Sequence, residues 1–413
     1  MQRASGHRHR RIVIISDFCD GATFRDQPPA AEFAASWLSG ERGPRPGEAL
    51  HSGASGMPEV VGGYLERLPL AAIRQNLCDY AEIWSFWARD EPPPWSQDSP
   101  HLLHRSFRAD TAATPFASSD MLGHIVAFGP PDILCVWGLG VDEAILEACA
   151  GSIKIYNSID APALRIPPEV SRHFDLVLTS AQWQSCEVER RHPAMATAIM
   201  PIGPEFASPE TFFPLGLEKT HDVVYVAAAQ PYKRHDVLFQ ALARLPRSIR
   251  ALCVCGYGEG GGLLREQAAE LGLSIDFIGP PGVSHAEVNR LMNLARVGVV
   301  CGVDDGAPAI LTEYMLAGLP VLANAALRCG LHYITPLTGR IAKADDFHMV
   351  LQDMLADLTP YAPRKIVMEN WSWDRTVQKL AAVLSESAPK ATVRPGARRG
   401  GVPPQTVSSR PAR

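Results

Sequence analysis

No stretch of this 413-residue chain approaches the ~20 consecutive apolar residues that a bilayer-spanning helix requires. The opening MQRASGHRHRR leads into a short strand-like run instead of a signal-peptide core, so the expected location is the cytoplasm. An excess of positive charge is also missing. With 39 basic against 44 acidic residues the net charge is -5, which leaves no electrostatic reason to expect nucleic acid as a partner. The nine cysteines form no Cys-x-x-Cys pair. The closest two, Cys253 and Cys255, lie in an apolar run where both point to one side of a strand, as buried thiols of a reducing compartment would and as a disulfide or metal framework would not. An Asp-x-Asp metal site is absent as well; Asp304 and Asp305 are adjacent, and neighbouring side chains diverge.

What is present is an ordinary globular composition, 46% hydrophobic and 20% charged, in a chain too long for one hydrophobic core. Short apolar runs alternate with helix-like stretches. RRIVIISDF reads as a buried parallel strand. From Gly40 to Ser119 the pattern is irregular, with SGERGPRPGEALHSGASGMP and DEPPPWSQDSP expected as loops. Between them LAAIRQNLCDYAEIWSFWARD reads as a helix with Leu77, Tyr80, Ala81 and Trp84 on one face; Phe86 and Trp87 are the residues that would line a cleft or make a peripheral membrane contact. From Pro131 onward DILCVWG, IKIYNSI, LVLTS and TAIMPIG are strands separated by helices, which implies βαβ units. A proline-bearing break, PEFASPETFFPLGLEKTHD, precedes a second alternation, from VVYVAAA to PVLAN. The expected organisation is therefore α/β, two Rossmann-like doubly wound domains over 1–205 and 219–370 with a cleft between them. A terminal helix over 371–388 and a disordered basic tail over 389–413, without an acid after Glu386, complete the chain.

In open parallel α/β domains ligands bind beyond the carboxyl ends of the strands. Three such ends in the second domain carry suggestive residues: QPYKRHD with Lys233 and Arg234, GYGEGG, and DDGAPAILTE. Gly256, Gly258 and Gly261 spell the dinucleotide fingerprint, but the required acid at the end of the next strand is missing, since Asp276 lies near the start of IDFIG. In the third stretch Pro308 suits the first turn of a helix running to Leu316 and stopping near Gly318. Asp305 outside that helix and Glu313 within it would repel a phosphate but accept hydrogen bonds from sugar or ribose hydroxyls. The alternative is that Asp305 only caps the helix and Glu313 faces solvent. A nucleotide-sugar, with hydroxyls at both ends and a diphosphate between them for Lys233 and Arg234, fits the first reading.

DGAPAILTEYMLAGLPVLAN resembles the signature of GT-B retaining glycosyltransferases of family-4 type, and PYKRHDVLFQAL, VCGYGEG, GLHYITPLTGRIA and WSWDRTVQKLAAVL follow in that family's order. The resemblance spans about Pro131 to Ser385. It implies a GT-B fold with a C-terminal crossover helix and transfer of a sugar from a UDP- or GDP-sugar to an acceptor hydroxyl with retention. No cofactor or protein-bound metal is implied, the nucleotide-sugar being a substrate. Carried over residue by residue, Lys233 neutralises the diphosphate, Asp305 contacts the donor sugar and Asp160 lies on the facing domain; these three form the expected catalytic set. The donor-binding set is Glu313 for the ribose hydroxyls, the Gly306, Ala307 and Pro308 turn, Arg234, Gly258 and Gly21. Three departures stand out. Ala228 replaces the family's arginine, Ile159 its histidine, and Gly21 alone remains of a double glycine. They support an alternative, a non-catalytic transferase-like subunit that assists a partner.

Overall fold

The structure is a computed structural model that describes residues 10–20, 29–48, 56–88 and 95–391. Its first half contains β1 (Arg11–Asp20), α1 (Ala30–Ser39), α2 (Tyr64–Arg74), β2 (Tyr80–Trp87), β3 (Trp95–Ser99), β4 (Leu102–Arg108), α3 (Ser119–Phe128), β5 (Ile133–Trp137), α4 (Glu143–Ala148), β6 (Ile153–Asn157), α5 (Pro168–Ser171), β7 (Leu176–Thr179), α6 (Gln182–Arg191) and β8 (Ala196–Ile199). These eight strands form one sheet in the order β3-β4-β2-β1-β5-β6-β7-β8, parallel except for β3 against β4. Both faces are covered, which is why the strands read as apolar runs. Ile12 and Ile14 enter the core beneath α2, whereas Val13 and Ile15 enter the core beneath α1 and α3.

The second half contains β9 (Val223–Val226), α7 (His235–Ala243), β10 (Ala251–Val254), α8 (Gly261–Glu270), β11 (Ile275–Ile278), α9 (His285–Asn293), β12 (Val297–Val300), α10 (Ile310–Leu316), β13 (Val321–Asn324), β14 (Gly339–Ala342), α11 (Phe347–Ala356), α12 (Pro363–Asn370) and α13 (Trp373–Ala391). Its six strands lie in the order β11-β10-β9-β12-β13-β14, all parallel. The chain therefore winds outward from β9 to β11, returns to place β12 on the other side of β9, and winds outward again. The crevice between β9 and β12 is the topological switch point of this sheet.

Two chain crossings lie side by side between the halves. Ala207 N–H donates to the carbonyl of Trp371 at 3.2 Å and Trp373 N–H to that of Ala207 at 3.0 Å. Beyond this point α13 returns to the first domain, where Trp373, Val377, Leu380 and Leu384 share a core with Leu68 and Ala72 of α2. The Thr376 hydroxyl donates to Glu205 at 2.6 Å and pins the returning helix to the outgoing segment.

Three local expectations are corrected. The helix expected across LAAIRQNLCDYAEIWSFWARD is a helix, a turn and a strand: α2 ends at Arg74, Asn76 adopts a left-handed φ of 57°, and β2 begins at Tyr80. Alternate residues of β2 serve opposite cores, Ala81 and Ile83 one and Trp84 and Phe86 the other, so two buried faces imitated a helical stripe. Phe86 is consequently buried and offers no surface for a membrane, and Trp87 is only half-buried. The loop expected in DEPPPWSQDSP includes β3 from Trp95, an antiparallel edge strand too polar to announce itself. The helix expected from Pro308 begins at Ile310, after a turn that holds Pro308 and Ala309. Gly21 and the tail from residue 392 lie outside the described residues. No helix among the described residues is long and apolar enough to cross a membrane.

Candidate functional site

Lys233 follows β9 and Asp305 follows β12, so the two flank the switch-point crevice. A single 3-10 turn, Pro231–Lys233, carries the lysine. That turn is tied down from two sides, because the Tyr225 hydroxyl donates to the Lys233 carbonyl and Val303 N–H donates to the Tyr232 carbonyl at 3.2 Å. Held there, the Lys233 ammonium forms an ion pair with the Asp305 carboxylate, both side chains being 17% exposed. The ammonium also lies 4.9 Å from the centre of the Tyr232 ring. Burial raises the Tyr232 phenol above its ordinary pKa, helped by Tyr257 and by the negative charges of Asp305 and Asp160, so it is a neutral hydroxyl at this edge of the crevice.

Glu313 lies in the first turn of α10 and accepts a 2.7 Å hydrogen bond from Arg67 of α2, in the other domain. Asp160, after β6, is half-exposed; its carboxylate accepts from Arg165 at 3.0 Å and its carbonyl from Gln184 at 2.8 Å. Between these residues the domains touch through backbone. A Cβ on Gly306 would stand 2.2 Å from the Ile159 carbonyl oxygen and 2.5 Å from that of Asp160. Only a glycine lets the Asp304–Pro308 turn come this close to the facing domain. Ala307 borders the same seam, its carbonyl 3.1 Å from where a Gly203 side chain would begin, and Pro308 packs over Gly330.

The remaining expected residues divide. Gly258, at a left-handed φ of 107°, lies against Ala229, with its would-be Cβ 2.6 Å from that carbonyl. Ala229 N–H donates to Tyr257 and Gly260 N–H to Ala229, so the loops after β9 and β10 are clipped together and form one wall. The Arg234 guanidinium is engaged locally, making two bonds to Asp236, at 2.9 and 2.8 Å. Asp276 bonds His221 at 2.8 Å and Arg250 at 3.1 Å near the amino end of β11, so the glycine fingerprint has no acid at the strand end where a dinucleotide ribose would need one.

Sequence reasoning missed Arg67. Its local signal was the start of α2, where Gly63 N–H donates to Glu66 at 2.8 Å in a capping arrangement. No local pattern could pair it with a carboxylate 246 positions away. Trp183 was missed likewise; its indole N–H donates to the Arg328 carbonyl at 3.0 Å while the Arg328 guanidinium lies 4.5 Å from the ring centre, a second link across the cleft.

Known proteins share this fold. Residues 208–347 match the family model described as glycosyl transferases group 1. The chain is 28% identical over 189 residues to a D-inositol 3-phosphate glycosyltransferase of Salinispora tropica, the match covering 41% of this chain and 39% of that protein. It thus spans about two fifths of the length of that curated relative. Among solved structures, sucrose-phosphate synthase from Thermosynechococcus elongatus superposes over 92% of this chain and all of its own, with a TM-score of 0.64 at 15% identity. HepE of Anabaena, solved with UDP and glucose, covers the same shares at a TM-score of 0.58 and 16% identity. Both are similar in fold. Two α/β domains facing each other across a cleft give the chain a GT-B fold, and the segment similar to glycosyl transferases group 1, residues 208–347, is the one that supplies Lys233, Asp305 and Glu313.

Proposed function

We propose that this protein is a retaining glycosyltransferase that takes its sugar from a nucleotide-sugar, most readily a UDP-sugar, and passes it to an acceptor hydroxyl. The observation that carries the proposal is the convergence of Lys233, Asp305 and Glu313 on one crevice, each from a different turn after β9 or β12. A diphosphate placed there meets the ammonium, whose three donors serve Asp305 and a phosphate oxygen together. The leaving diphosphate gathers negative charge as the anomeric bond breaks, and the fixed positive charge of Lys233 stabilises that change without reorganisation. Asp305 accepts from a hydroxyl of the donor sugar, and Glu313 accepts from the ribose. The acceptor enters from the first domain, beside Asp160, and attacks the anomeric carbon with both substrates held in one cleft. UDP is favoured over GDP because HepE and a pneumococcal O-GlcNAc transferase of similar fold were both solved with it. Retention follows from the family resemblance. The family resemblance implies no dedicated protein-bound metal, and Lys233 supplies positive charge at the proposed diphosphate position.

The second reading, a transferase-like subunit assisting a partner, rests on Ala228, Ile159 and the capture of Arg234 by Asp236. A thermal-shift series with UDP, GDP, their sugars and NAD, on the native chain and on Glu313→Ala, separates the two. A ligand at a hundred times its dissociation constant adds ~2.7 kcal/mol. UDP or GDP should raise the melting temperature of the native chain and not of the variant. Failure of every nucleotide to do so would overturn the donor site and leave the subunit reading standing; a shift by NAD alone would overturn both.

A further inference from the structure

The proposed donor site has a wall that the second domain does not supply. Arg67 rises from α2, whose amino end lies at the carboxyl ends of the first sheet because the helix runs back toward the start of β2. Its side chain is 1% exposed, and its Nη2 donates to Glu313 Oε1 at 2.7 Å. Nε donates to the Gly62 carbonyl at 2.9 Å, and the guanidinium lies 5.3 Å from the centre of the Phe212 ring in the segment joining the domains. These contacts fix the plane of the fork. Nη1 is buried and has no hydrogen-bond partner. An unsatisfied buried donor on a charged group is costly, and its persistence beside a ligand crevice points to a partner that arrives from outside.

We infer that Arg67 is a donor-binding residue contributed by the opposite domain, and that with Glu313 it reads the vicinal diol of the nucleotide ribose. The inference rests on the donor-site reading above and deepens it. Each ribose hydroxyl is both a donor and an acceptor. A carboxylate alone uses only the first capacity. A guanidinium beside it uses the second, so the Glu313–Arg67 pair complements a diol as neither residue does singly, through charge-assisted bonds on both sides. Glu313 retains most of its roughly four lone-pair sites after accepting one bond from Arg67. Since the two residues belong to different domains and already bond directly, a ribose held by both adds a further tie across the cleft.

The test compares UDP with 2′-deoxy-UDP, and GDP with 2′-deoxy-GDP, by calorimetry on the native chain, Arg67→Met, Arg67→Lys, Glu313→Gln and the Arg67→Met/Glu313→Gln double variant. The native chain should bind the ribonucleotide at least tenfold more tightly than its deoxy counterpart. Arg67→Met and Glu313→Gln should each erase that preference, the double variant should bind no worse than either single one, and Arg67→Lys, which keeps the charge but loses the fork, should not restore it. A purely structural arginine would lower the melting temperature and weaken both nucleotides equally, leaving the ratio intact, and this result overturns the inference. So does Arg67→Met binding UDP as well as or better than the native chain, which would make Arg67 a competitor of the ribose. If the native chain binds none of the four nucleotides, the donor-site reading itself has failed.

Discussion

Replacing Gly306 by alanine adds one methyl group at the seam where the two domains meet, and its consequence can be worked from distances. The new Cβ would stand 2.2 Å from the Ile159 carbonyl oxygen, 2.3 Å from the Asp160 carbonyl carbon and 2.5 Å from its oxygen. All three are backbone atoms and cannot swing aside like the end of a side chain. Restoring ordinary contact requires the turn and the facing loop to part by about 1 Å, and displacement on that scale between reacting groups costs on the order of a hundredfold in rate. That corresponds to ~2.7 kcal/mol of transition-state stabilisation at 1.36 kcal/mol per decade. Gly306 does not occupy the left-handed region, so alanine brings no backbone strain, and the contact lies between domains and outside either core. The expected result is a melting temperature within a few degrees of the native value, a UDP affinity changed by only a few-fold, and nucleotide release from the donor sugar reduced about a hundredfold. Native-like turnover by Gly306→Ala, or a collapse of its fold, would refute the argument that this approach positions the reaction.

Other consequences are as direct. Burial opposes the charge on Glu82, but Arg105, Arg11 and the Arg105 hydrogen bond outweigh it and hold the carboxyl down to about 2. Burial and then Lys233 push His235 down to about 4 from an ordinary 6.5. In both cases the folded state binds fewer protons than the unfolded one, so stability falls with pH, first from 6.5 toward 4 through His235 and then from 4.5 toward 2 through Glu82. The slope from each group is at most ~1.4 kcal/mol per pH unit. Because buried Asp120 and Glu205 are shifted the opposite way, each contribution is read as a difference: between pH 7.5 and 5 the urea midpoint of the native chain should fall more than that of His235→Gln, and between pH 5 and 4 more than that of Glu82→Gln, and equal falls would count against the assignment. Arg105→Met leaves the wholly buried Glu82 carboxylate without the partner now 2.9 Å away, for an expected loss of ~3–5 kcal/mol, whereas adding Glu82→Gln should recover part of it. Chemical denaturation of the three proteins decides; equal stability of the single and double variants would mean that the pair is not coupled.

The sequence was legible wherever local physics decides the outcome. Strands buried on both faces read as apolar runs, turn glycines and prolines marked their ends, and the carboxyl end of a parallel strand is where a ligand belongs whatever the rest of the chain does. Lys233, Asp305 and Glu313 could therefore be named as candidates from their places after such strands. The same logic failed in β2, since a strand with two apolar faces and a helix with one broad stripe leave similar patterns over eight residues. It failed in β3, where a polar edge strand takes its identity from pairing with β4 and carries no hydrophobic signal.

By itself, then, the sequence determined two α/β halves, their strand ends and the residue types gathered there, because each depends on residues within a turn or two of one another. The tertiary structure alone decided which of those residues meet. Arg234, next to Lys233 in the chain, pairs with Asp236, two residues on. Arg67, 246 positions from Glu313, becomes its partner, because two sheets closing on a common cleft bring together side chains whose pairing no local spacing encodes.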